Sequence, residues 1–64
     1  MKRAHLTRLN RGDKVRVVGG VVSGVVLERT KIDGLSGMYL VQWNGSSEPS
    51  FERRGDLRLP SERD

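Results

Sequence analysis

Five short runs of β-branched and aromatic residues, punctuated by glycine and proline, constrain this chain more than any other feature of its sequence. In GDKVRVV (residues 12–18) apolar and charged side chains alternate, so Val15 and Val17 share one face of a strand while Lys14 and Arg16 share the other. Gly19 and Gly20 then mark a tight turn, because two glycines between valine runs supply the positive φ that a turn requires. The run VVSGVVLE (21–28) resumes the pattern, and Gly24 inside it predicts a bulge, a sharp bend or a close backbone approach. A polar, glycine-bearing stretch, RTKIDGLSG (29–37), reads as a longer loop, with Ile32 and Leu35 expected to fold over one end of the core.

The third run, MYLVQW (38–43), sets Tyr39, Val41 and Trp43 on one face and Met38, Leu40 and Gln42 on the other. Both faces are largely apolar, which predicts a central strand. Asn44 and Gly45 follow as a hairpin signal, both tolerating the positive φ of a type I′ turn. A fourth strand is expected over about 47–53 with Phe51 inward, and Pro49 places it at an edge. RRGD (53–56) reads as one tight helical turn, and Leu57 and Leu59 point inward from a last short strand that Pro60 ends. No segment has a helical period. The fold class expected is therefore all-β: a small five-stranded barrel, strongly bent, whose closure removes most exposed edges.

Size limits what holds such a barrel together. A 64-residue chain buries only about 60% of its unfolded surface, so its core is thin. Without cysteine, neither a disulfide framework nor a thiolate zinc site can supplement it. His5 is the one histidine, no carboxylates stand at ligand spacing around it, and neither a metal nor another cofactor is expected. No run approaches the roughly 20 apolar residues of a membrane span, and the first residues lack the apolar middle of a secretory signal, so a cytoplasmic protein is expected.

The charge is one-sided. Residues 1–16 carry Lys2, Arg3, Arg8, Arg11, Lys14 and Arg16 against Asp13, a net +5, whereas the remainder of the chain is close to neutral. Residues 1–11 show no clear period and read as a flexible basic arm, with Leu9 tucked against the body. Residues 12–60 form the barrel and 61–64 a tail. Such an arm can follow a phosphate backbone by neutralising charge and releasing counterions.

These residues resemble the SH3-like small barrels, in particular the Tudor and KOW types. The likeness rests on GDKVRV (12–17), GVVLE (24–28), YLVQWNG (39–45) and RGDL (54–57), and spans about 50 residues. The pattern is also similar to small proteins of phages and mobile elements that end in a tryptophan-bearing turn and an aromatic strand. The segment between the first two strands, VGGVVSG (18–24), is shorter than in KOW motifs. A Tudor cage for methylated side chains needs three or four rings, and this chain has only Tyr39, Trp43 and Phe51 in total. Against the type II dihydrofolate reductases, which are SH3-like barrels, LVQW (40–43) matches the pore segment only loosely. No catalytic constellation stands elsewhere, so a non-enzymatic binding module is expected.

Trp43 can be read as a wall of the core or as a stacking platform for bases, and the core has the stronger claim in a barrel with so few large apolar groups. For nucleic acid, DNA or RNA, the contacts expected are Lys2, Arg3, Arg8, Arg11, Lys14, Arg16, Arg53 and Arg54, which position a partner without reading its sequence. The alternative is a protein partner held by the loops, through Ile32, Leu35, Met38 and Asn44. The chain is expected to act as a monomer or small homo-oligomer.

Overall fold

A computed structural model describes residues 7–30 and 37–63. Five strands, β1 (Lys14–Val17), β2 (Ser23–Arg29), β3 (Tyr39–Trp43), β4 (Ser50–Glu52) and β5 (Leu57–Arg58), form one antiparallel sheet in the order β4-β3-β2-β1-β5. A 3₁₀ turn, Arg54–Asp56, carries the chain from one outer strand to the other. The sheet curls into a half-barrel, the architecture of a small SH3-like barrel. No pairing between β4 and β5 closes it among the described residues. No helix among them is long and apolar enough to cross a membrane.

The inner face is built from alternate residues, as the strand period requires. Val15, Val26, Tyr39, Val41 and Leu57 are buried, Leu9 joins them from before β1, and Trp43 and Leu59 pack against the cluster. Leu9 is fixed there by more than contact. Its N–H donates to the Tyr39 hydroxyl at 3.2 Å, and a turn in which Asn10 N–H donates to Asp13 Oδ2 leads the chain into β1. The Gly12 N–H to Val26 carbonyl bond (2.8 Å) and the Val26 N–H to Asp13 carbonyl bond (2.9 Å) extend the β1–β2 pairing beyond the strand ends.

Phe51 corrects the expected pattern. It pairs with Leu40, on the face opposite Tyr39 and Val41, and is 43% exposed, while Ser50 and Glu52 take the inward positions. Trp43 accounts for this. Its ring fills that end of the inner face, and its indole N–H needs a polar partner, which Ser50 Oγ provides at 2.9 Å and Glu52 Oε2 supplements at 3.4 Å. Val17 also differs, being partly exposed at the end of β1 although its register partner Leu57 is buried.

The register shift in β2 falls between Val26 and Glu28, not at Gly24. Gly24 is instead the close approach, directly across from Trp43: a Cβ built on it would lie 2.7 Å from the Gln42 carbonyl oxygen and 2.8 Å from Trp43 Cε3. The 44–45 turn departs from type I′ as well. Ser46 N–H closes it on the Trp43 carbonyl, and only Gly45 adopts positive φ (85°), so Asn44 needs no left-handed conformation.

Candidate nucleic-acid interface

The bulge in β2 shapes one side of the molecule. With one extra residue opposing Leu40, both Leu27 and Glu28 are exposed on the outer face. The 8–11 segment, held by Leu9 in the core, runs beside them. Between the two lies a broad groove of about 680 Å³ whose rim carries Arg8, Arg11 and Arg29 and whose apolar lining includes Leu27 and Leu40. Glu28 is the one carboxylate among its described lining residues. Among the described residues no hydrogen bond or ion pair engages the side chains of Arg8, Arg11, Arg29 or Lys14. Their charges therefore face solvent, apart from the opposing charge of Glu28.

A second, smaller cleft of about 160 Å³ lies on the same face beyond β1, among Lys14, Arg16, Ser23, Arg58 and Pro60. The β1–β5 register sets Arg16 directly across from Arg58. Both guanidinium groups are oriented by main-chain oxygens: Arg16 donates to the Glu62 carbonyl at 3.2 Å, and Arg58 donates to the carbonyls of Gly55, Leu57 and Arg63 at 2.8–3.1 Å.

Of the cations expected to meet phosphate, Arg8, Arg11, Lys14 and Arg53 are exposed, and Arg16 is half-buried. Arg54 is committed inside the molecule. Its Nε donates to the Thr7 carbonyl at 2.6 Å, its Nη1 to the Leu57 carbonyl at 2.7 Å, and its Nη2 forms a 2.7 Å ion pair with Glu62. One guanidinium thus ties the N-terminal segment, β5 and the C-terminal turn together. Burial works against a charged Glu62, yet hydrogen bonds from Leu59 N–H and Arg54, with the charges of Arg54 and Arg58, outweigh it and hold the carboxyl below its ordinary value.

Lys2, Arg3, Ile32 and Leu35 lie outside the described residues. Of the two remaining loop candidates for a protein partner, Met38 is half-buried with its carbonyl accepting from Thr30 N–H, and Asn44 is exposed in the turn. Arg29 and Arg58 were not singled out by sequence reasoning. Arg29 ends a strand, where alternation is a poor guide. Alternation with Leu57 and Leu59 turns Arg58 outward, but its place beside Arg16 depends on strand register, which no local pattern encodes.

The fold defines a class, small all-β proteins built on a curled five-stranded antiparallel sheet. No family model matches the chain, and neither a curated protein nor a solved structure matches it significantly.

Proposed function

We propose that the protein is a non-catalytic nucleic-acid-binding module of the Tudor or KOW kind, making phosphate contacts through its N-terminal segment and the outer face of β1. The observation that carries this reading is that Arg8 and Arg11 border one groove and Lys14 stands on the outer face of β1, all three exposed and without partners among the described residues. Their spacing along an anchored segment suits a polyanion better than a single small anion. Contacts of this kind position a nucleic acid without reading its sequence, so binding is weak, salt-sensitive and largely nonspecific.

The test is an amide chemical-shift titration with short DNA and RNA at low and near-physiological salt. Shifts centred on Arg8, Arg11 and Lys14 that collapse as salt rises support the reading; an unchanged spectrum at low salt rejects it. A protein partner is the second reading, favoured by the exposed apolar residues Val25, Leu27 and Phe51 on the outer face.

A further inference from the structure

Phe51 stands outside the buried core of the described residues, on a face where the fold does not enclose it. It contributes nothing to the buried core, sits on an outer strand, and leaves 43% of its surface in water. Its neighbours suggest a use. Phe51 lies directly across from Leu40, and Leu40 lies across from Glu28 at the bulge where Leu27 is exposed. Leu27, Leu40 and Phe51 therefore form an apolar strip from β2 across β3 to β4, two strand spacings or about 10 Å wide. Leu27 and Leu40 line the groove whose rim carries Arg8, Arg11 and Arg29. An aromatic face and an apolar floor thus share the outer side of the sheet, and the floor continues into a groove bordered by three cations.

We infer that this face takes a single-stranded nucleic acid, with Phe51 as the stacking platform for a base and Arg8, Arg11 and Arg29 as contacts for the adjoining phosphates. The inference rests on the nucleic-acid reading above and narrows it to a substrate class. Charge complementarity commits the strip to this occupant. An apolar surface meant only for a protein core has no need of three cations along its border, whereas a single strand presents unstacked bases and a charged backbone together.

A duplex cannot use the same arrangement, because its bases are already stacked and its phosphates alone face outward. Glu28 sets the orientation by repelling phosphate from the centre of the groove, so the backbone follows the Arg8 and Arg11 side and the bases turn toward Leu40 and Phe51. Trp43, the other aromatic candidate, is half-buried against the core with its N–H bonded to Ser50.

The experiment is fluorescence anisotropy with a labelled mixed-sequence 12-mer, as single-stranded DNA, single-stranded RNA and DNA duplex, against the full chain and its Phe51→Ala, Phe51→Leu and Phe51→Tyr variants. Phe51→Leu retains apolar bulk, and amide spectra verify that each variant keeps the fold. The expected result is tighter binding of the single strands than of the duplex. Phe51→Ala and Phe51→Leu should lose roughly 5- to 150-fold on single strands, the range for one stacked base, with little change on duplex. Phe51→Tyr should bind as the parent does.

Equal affinity of Phe51→Leu and the parent for single strands overturns the inference, as does a duplex bound at least as tightly as a single strand. In either case binding itself survives, and so does the broader reading. If the parent binds none of the three at low salt, both fall. Sedimentation that reveals a dimer dispersed by Phe51→Ala also overturns the inference, by giving the strip to a second copy.

Discussion

Trp43 occupies the space that a side chain at Gly24 would need. The two residues face each other across β2 and β3, and a Cβ on Gly24 would lie 2.8 Å from the indole and 2.7 Å from the Gln42 carbonyl oxygen. The second of these contacts is with backbone, which cannot swing aside as a flexible side chain can. Gly24→Ala should therefore destabilise the fold by about 1–3 kcal/mol, the usual cost of overpacking. Gly24→Val should cost more. Urea denaturation measures both, and a variant as stable as the parent would show that the two strands separate more easily than this contact implies.

Tyr39 joins two parts of the chain that are 30 residues apart, since its hydroxyl accepts the Leu9 N–H inside the core. Tyr39→Phe keeps the ring and removes the acceptor, leaving a buried donor without its partner. A loss of about 1–3 kcal/mol is expected. Amide exchange at Leu9 should accelerate more than exchange at Val26 or Val41, because the 7–11 segment loosens first. Uniform acceleration across the sheet would instead mean that Leu9 and the barrel open as one unit.

The parts of this fold that depend on local alternation were legible in the sequence. Val15, Tyr39, Val41 and Leu57 were assigned inward and are buried, and the tight turn at 53–56 is the 3₁₀ turn. Phe51 was misplaced because hydrophobicity alone argued for burial, while the polar demand of the Trp43 indole decided which face of β4 turned inward. The groove depends on a bulge at 26–28 and on the anchoring of Leu9. Only the second of these had a sequence signal: of the three readings open for Gly24, the close approach is the one it adopts, and no glycine marks the bulge at 26–28. Arg54 could not be distinguished from its neighbour Arg53 by sequence, yet one is fully engaged within the molecule and the other is exposed.

The Arg54–Glu62 pair links stability to pH. Glu62 has a folded-state pKa below its ordinary value of 4.5, so its contribution is complete above that value and disappears as pH falls through the folded pKa. Glu62→Gln should cost about 1–3 kcal/mol at neutral pH, since it removes a charged partner from a guanidinium that is only 14% exposed. The same variant should flatten the acid side of the stability profile below pH 4.5. Thermal melts from pH 7 to pH 3 make the comparison. An acid limb in Glu62→Gln as steep as the parent's would assign acid sensitivity to other carboxylates.

Arg8 and Arg11 provide the cleanest separation of binding from folding, because both side chains are exposed and neither has a partner among the described residues. Surface changes of this kind usually alter stability by less than about 0.5 kcal/mol. If each meets one phosphate of a single strand, replacing both with glutamine should lower the slope of log K against log salt by about 1.4, from roughly 0.7 per contact. Arg54→Gln should behave in the opposite way, weakening the fold while leaving the salt slope of the folded fraction nearly unchanged. Affinity measured between 20 and 200 mM salt, roughly the range over which counterion release is resolved, tests this contrast. A slope unaffected by the Arg8 and Arg11 changes would move the phosphate contacts to the cleft among Lys14, Arg16 and Arg58, where the same substitutions can be repeated one residue at a time.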